Sequence, residues 1–332
     1  MMGIFDMAHE WLMQNTVLPF LYVVGWMDLA EDANFALDWF LLGILQLCVI
    51  AFIFRPLESS ERPEVFGAGA SNSMQDWGAD HRQAIRVDLI YTVINRLGIF
   101  HVFFFFFFSE IFISLSAQLH DFRFERWNVE LWWPGVTSNP LVSLFIYLIL
   151  FDFVDYWYHR ISHRFGWWWQ LHALHHSQQH MTSWSDNRNH FVDDLIRAIV
   201  FSSVALLVGV EPGQFLLIIM LSELIQSWQH GFYQNNFWYL KYVLVTPQFH
   251  RLHHAIDLGY EAPGRPGVLG GCNFGVLLPW WDLLFRTASF DFTYRPTGVR
   301  DWPLPADLWA QQWIALRRSW QKTAFPQWMV SK

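Results

Sequence analysis

The reading turns on Asp155-Tyr-Trp-Tyr-His159-Arg-Ile-Ser-His163, on His172-Ala-Leu-His175-His176 nine residues further, and on a third group, His250-Arg-Leu-His253-His254. Eleven of the fifteen histidines lie between residues 159 and 254, with His180, His190 and His230 separating the motifs. On a helix, residues three and four apart project from one side. His159 and His163 therefore stack one above the other, and each H-x-x-H-H triplet fans three imidazoles over about 100°. A lone histidine beside aromatics is ordinarily a packed side chain, but three such motifs in one region are not explained that way. Imidazole suits iron, zinc, copper and nickel. Eight or nine such groups exceed what one ion can bind and suit two five- or six-coordinate ions that keep open positions.

Outward from this region, the chain is apolar. Of its 332 residues 53% are hydrophobic and 15% charged, against about 25% charged for a soluble globule. That balance predicts a membrane protein. A net charge of -8 offers no basic stripe, so nucleic acid is excluded as a partner. Two cysteines, Cys48 and Cys272, build neither a disulfide framework nor an iron–sulfur ligand set. The twenty-one tryptophans favour membrane interfaces. No H-E-x-x-H occurs, which disfavours a zinc protease.

Residues 1–54 hold no Lys or Arg, so the start does not read as a secretory signal. Residues 39–54 form a first candidate span, stopped by Arg55-Pro56. Arg55, Arg62, Arg82 and Arg86 follow and assign the connector after it to the cytoplasm. Residues 97–115 read as a second span and 141–158 as a third, which runs directly into His159. Residues 195–210 and 214–228, broken by Glu211-Pro212-Gly213, are each short for a crossing and read as a membrane-embedded hairpin. Glu223, Gln226 and His230 form one polar stripe on its second arm. The tail from 302 carries Trp302, Trp309, Trp313 and Trp320 beside Arg317, Arg318 and Lys322, suiting an amphipathic helix on the membrane surface.

The expected fold is an all-α membrane protein of about four transmembrane helices, the hairpin included, with a histidine-ligated dimetal site at a span end on the cytoplasmic side. Its expected divisions are residues 1–135 (N-terminal membrane region), 136–292 (metal domain) and 293–332 (interfacial tail). The ligand candidates are His159, His163, His172, His175, His176, His190, His230, His250, His253 and His254; His180 belongs to no motif and is set aside. Carboxylates should fix imidazole tautomers by accepting the distal N–H. Asp155, one turn before His159, is the first candidate, followed by Glu223, Asp282, Asp186 and Asp194.

The ordered set resembles the fatty acid hydroxylase/sterol desaturase superfamily of integral-membrane di-iron oxygenases. It comprises H-x-x-x-H at 159–163, H-x-x-H-H at 172–176, Arg188-x-His190, His230, H-x-x-H-H at 250–254, Asn273-Phe274-Gly275, and Trp281-Asp282 followed by Phe285 and Thr287. The resemblance covers roughly residues 140–290 and implies a cytosolic helical cap that carries the dimetal site on the membrane helices. Phe191 stands where relatives often carry proline. By this resemblance the cofactors are two ferrous ions with O2 as co-substrate, and Asn273 and Asp282 join the residues around them. It also implies a lipid-like substrate (sterol, fatty acyl or alkylglycerol) that is hydroxylated or desaturated. Electrons would come from a separate cytochrome b5-like or ferredoxin-type partner, at a site on the cytoplasmic face, with a bacterial inner membrane preferred over the endoplasmic reticulum. A membrane metal transporter or a haem-binding membrane protein is the alternative. A transporter should place ionisable groups near the bilayer midplane on several helices, whereas nearly all the histidines here lie beyond span ends.

Overall fold

A computed structural model of the chain describes residues 3–25, 27, 30–59, 79–99, 114, 127–233, 239–256, 271–292, 295–299, 302 and 307–324. All regular structure among these residues is helical, apart from one isolated bridge between Ala255 and Thr297. In chain order the helices are α1 (Ile4–Leu12), α2 (Leu18–Val24), α3 (Ala30–Val49), α4 (Arg55–Ser59), α5 (Ala79–Arg96), α6 (Pro140–Arg164), α7 (Gly166–His176), α8 (Phe191–Val208), α9 (Pro212–His230), α10 (Pro247–His253), α11 (Trp280–Phe285) and α12 (Leu308–Ala324). A π-helical stretch, Ile50–Phe54, joins α3 to α4 without a break.

Among the described residues two helices are long and apolar enough to cross a membrane: Ala33–Glu58 and Pro140–Arg164. The expected span at 97–115 lies almost wholly outside the described residues. Helix α6 opens where Asn139 accepts a hydrogen bond from the Leu141 N–H (3.0 Å) and Pro140 occupies the first turn, where no N–H is needed. It closes at Phe165, whose extended backbone turns the chain directly into α7. The sharp corner sets the first histidine motif, at the end of α6, beside the second on α7. The two helices expected on either side of Glu211-Pro212-Gly213 form, as Gly209 adopts a left-handed φ of 66° to end α8 and Pro212 opens α9.

Two apolar clusters flank the histidines. In one, Trp39 of α3, Tyr147 and Phe151 of α6, Phe201 of α8 and Leu216 and Met220 of α9 pack together. In the other, Val87 and Tyr91 of α5 meet Trp169, Ala173 and Leu174 of α7 and Leu308 and Ala315 of α12. Gly43 lets α3 touch the end of α5, since a Cβ there would lie 1.8 Å from the Arg96 carbonyl oxygen. That contact carries the N-terminal helices down to the centre.

Candidate metal centre

Four helices deliver the imidazoles. They separate into two buried groups: His159, His163, His172, His176 and His253 in one, His175, His230, His250 and His254 in the other, with ligating atoms within 4.8 Å of one another in each. The division follows helix geometry. The i,i+4 pairs 159/163 and 172/176 stay together in the first group and 250/254 in the second. The remaining member of each triplet, about 100° round the helix, crosses to the other group: His175 joins the α10 pair and His253 joins the α6 and α7 pairs. The stacked rings of His176 and His254, with centroids 4.2 Å apart, mark where the groups meet.

The outer ring nitrogens show which tautomers are held. His159 Nδ1 donates to the Phe274 carbonyl (2.9 Å), His253 Nδ1 to Cys272 (2.7 Å) and His230 Nδ1 to Gln226 (2.8 Å). His172 Nδ1 donates to Asp193 Oδ2 at 3.0 Å. Each of these four rings therefore turns an unprotonated Nε2 inward. The Nε2 atoms of His159 and His253 face each other at 2.8 Å. With both protons committed to carbonyls, that contact is two lone pairs, repulsive unless a cation lies between them. The Nε2 atoms of His172 and His176, and both nitrogens of His163, are buried without a hydrogen-bond partner among the described residues.

These donors fit metal ions. In the second group Nε2–Nε2 separations are 3.2 Å for His230–His175, 3.1 Å for His230–His250 and 3.1 Å for His250–His254. Bonds of about 2.1 Å at right angles set neighbouring donors about 3.0 Å apart, whereas tetrahedral angles set them about 3.4 Å apart. The observed spacings fall between these values, as expected of donors that would share one cation. Protonation points the same way. Burial first, then neighbouring imidazoles, holds His175, His176, His250 and His254 well below the ordinary histidine pKa. His253 is pushed down to about 3, chiefly by burial. All five are neutral at physiological pH, the form that binds a metal.

Nine of the ten candidate ligands are thus brought together. His190 stands apart: its Nε2 donates to the Gln312 carbonyl (3.0 Å) while Nδ1 accepts from the Val192 N–H (3.0 Å), so both nitrogens are engaged in capping α8 and seating α12. His180 lies outside both groups.

The carboxylates differ more from expectation. Asp155 does not reach His159; it pairs with Arg197 through both oxygens, at 3.1 and 2.6 Å. The physical reason is competition, because Phe274 already occupies His159 Nδ1 and a guanidinium matches a carboxylate bidentately. Glu223 pairs with Arg96, which also donates to Asp186 (2.7 Å) and Ser227 (2.8 Å). Asp186 in turn lies 3.5 Å from His230 Nδ1. Asp282 touches no histidine; it accepts from the N–H groups of Phe274 (2.9 Å) and Gly275 (2.6 Å) and fixes the turn whose carbonyl orients His159. Asn273 adopts a φ of 62° in that turn and donates to the Phe249 and Ser289 carbonyls, both at 2.9 Å. A Cβ on Gly275 would lie 2.8 Å from Asp282 Oδ2, so the turn closes only on glycine.

Sequence reasoning missed Asp193. It accepts from His172, from Tyr158 Oη (2.5 Å) and from Trp168 Nε1 (2.7 Å), the densest hydrogen bonding at any carboxylate touching a ligand. Its only signal is a place three residues after His190, in the first turn of α8. Arg96 was also missed, since it lies in a region without motifs.

This helical scaffold around a buried polyhistidine centre defines a metal-binding class of helical protein. Residues 144–287 match the family described as fatty acid hydroxylase. Alkylglycerol monooxygenase of Danio rerio is 26% identical over 213 residues, covering 63% of this chain and 43% of that protein. The Homo sapiens alkylglycerol monooxygenase is 29% identical over 136 residues, 41% of this chain and 28% of that protein. Ornithine lipid hydroxylase of Rhizobium tropici is 29% identical over 152 residues, 46% of this chain and 43% of that protein. The chain spans less than half the length of these curated relatives. No solved structure matches it. The family match over residues 144–287 and these relatives agree with the fatty acid hydroxylase/sterol desaturase superfamily that the motifs resemble.

Proposed function

We propose that the protein is a membrane-embedded, O2-dependent lipid hydroxylase whose nine clustered histidines hold two iron ions. The observation that carries this reading is the pair of buried groups with inward-facing, unprotonated ring nitrogens. The overall reaction would be R–H + O2 + 2e⁻ + 2H⁺ → R–OH + H2O, with the electrons supplied by a separate carrier protein. Iron supplies the oxygen activation and C–H cleavage that no side chain can perform.

The protein's own part is orientation and exclusion. Asp193 and the Phe274, Cys272 and Gln226 carbonyls would keep His172, His159, His253 and His230 in the ligating tautomer. Burial of all nine imidazoles keeps water out, and it holds His175, His176, His250, His253 and His254 in the neutral form. Hydroxylation is favoured over desaturation because the relatives are named monooxygenase and hydroxylase. A substrate with a long chain and a polar head, of acyl or alkylglycerol type, fits a centre set at the end of an apolar helix. The reading places α3 and α6 across the bilayer.

The test combines metal analysis of purified protein with lipid profiling of cells with and without it. Two irons per chain and a lipid gaining one oxygen are expected, and both should vanish in His172→Ala and His253→Ala. One equivalent of metal or none in folded protein would refute the dimetal reading. A lipid losing two hydrogens would replace hydroxylation by desaturation.

A further inference from the structure

The last described helix, α12, has two contrasting sides. Leu308, Gln311, Gln312, Ala315 and Ser319 are buried, and the helix packs against α7. On the other side Trp309, Trp313, Leu316 and Trp320 are 68%, 65%, 40% and 74% exposed. Spacings of four, three and four put these side chains in one stripe, three turns long. Exposed tryptophan in such a line is costly in water and is the residue most suited to the boundary between headgroups and acyl chains. The position agrees with that boundary. Helix α7, on which α12 rests, begins two residues beyond the end of α6, and Phe165 at the corner is itself exposed.

Beside the start of this stripe lies a cleft of about 570 Å³ between α5 and α12. Its walls include Val87, Ile90, Ile94 and Trp309, while Arg82 and Arg86, one turn apart on α5, add two positive charges. Asp307 also lines it, with Oδ2 accepting from the Ala310 N–H at 2.7 Å to cap α12. Apolar walls and paired guanidinium groups are the complement of an amphiphile with an anionic head. Arg317, exposed on α12, extends the positive charge along the tryptophan stripe.

We propose that α12 lies in the bilayer surface on its tryptophan stripe, and that the cleft takes the headgroup of an anionic bilayer lipid held by Arg82 and Arg86. This rests on the membrane reading above. The arginines meet the phosphate, Ile90 and Trp309 cover the first methylenes, and the protein is held with its histidine centre close to the acyl region.

The experiment uses the full chain in lipid nanodiscs. Two measurements are made: tryptophan quenching by phosphatidylcholine brominated on the acyl chain, and retention of phosphatidylglycerol against phosphatidylcholine by native mass spectrometry. Wild type should lose a fraction of its quenching in Trp309→Gln/Trp313→Gln/Trp320→Gln. Arg82→Gln/Arg86→Gln should lower phosphatidylglycerol retention about 25-fold, from roughly fivefold per arginine at a membrane surface, and Arg82→Lys/Arg86→Lys should restore most of it. Metal content should be unchanged in every variant. Equal quenching in wild type and the tryptophan variant would overturn the proposal and indicate a soluble partner for the stripe. Equal retention in the arginine variant would overturn the headgroup site. Failure to enter nanodiscs at all would instead refute the membrane reading.

Discussion

Replacing Asp193 by asparagine isolates the role of one hydrogen-bond acceptor. In the wild type Oδ2 takes the His172 Nδ1 proton at 3.0 Å, while Oδ1 takes Tyr158 at 2.5 Å and Trp168 at 2.7 Å. An amide has one acceptor oxygen. If it keeps Tyr158 and Trp168, the new NH2 faces His172 Nδ1 and drives the ring to carry its proton on Nε2, which can no longer bind a metal. If it keeps His172, the half-buried Trp168 Nε1 loses its partner and Tyr158 is left with the residue-193 carbonyl alone, at 2.7 Å. Outer-shell substitutions of this kind cost about 10–100-fold in metal affinity, equivalent to about 1.4–2.7 kcal/mol. The expected result for Asp193→Asn is a lower chelator midpoint for metal loss, read by metal analysis after equilibration against a chelator series. Thermal unfolding of the metal-free protein should fall as well. An unchanged chelator midpoint would show that the carboxylate does not set the tautomer of His172, and the account of the centre would need another anchor.

Acid should destabilise the metal-free protein steeply. His253 has a folded pKa of about 3 against about 6.5 unfolded, so its contribution is complete above pH 6.5 and is lost as pH falls towards 3, at about 1.4 kcal/mol per pH unit. His175, His176, His250 and His254 shift in the same direction, and a thermal-shift series from pH 7 to 5 should show proton uptake greater than one. A flat profile would mean that these rings are solvated. Arg96→Gln leaves Asp186 and Glu223 buried without their cation, and breaking a buried pair costs about 3–5 kcal/mol. Its unfolding temperature should drop by many degrees, while the exposed control Arg317→Gln should not move. Gly275→Ala forces a methyl against Asp282 and the Leu278 carbonyl, both 2.8 Å away. Displacing the Phe274 carbonyl that orients His159 should then lower metal retention more than it lowers helix content by circular dichroism.

The centre was legible in the sequence because its logic is local. Spacings of three and four on a helix determine which imidazoles share a side, and the triplets divide accordingly. The partners of those imidazoles were not legible in the same way. Asp155 has the right register relative to His159, yet Arg197 arrives from α8 and captures it. Asp193, with no register relation to His172, is brought there by the packing of α8 on α7. Carbonyls from Phe274 and Cys272 do the work expected of carboxylates, and a backbone oxygen leaves no mark in a sequence. Arg96 illustrates the same limit, since a region without motifs supplies the cation that holds Asp186 beside His230. The boundary between α8 and α9, by contrast, followed from Pro212 and a break in apolar residues.

The crossing of His175 and His253 between the groups affects how the protein would fill. Neither α7 nor α10 can complete its own pocket; each lends a ligand to its neighbour's. On the proposed reading the first ion to arrive therefore straightens the helix that the second one needs. A cell short of iron would contain empty molecules and full ones, with few caught halfway.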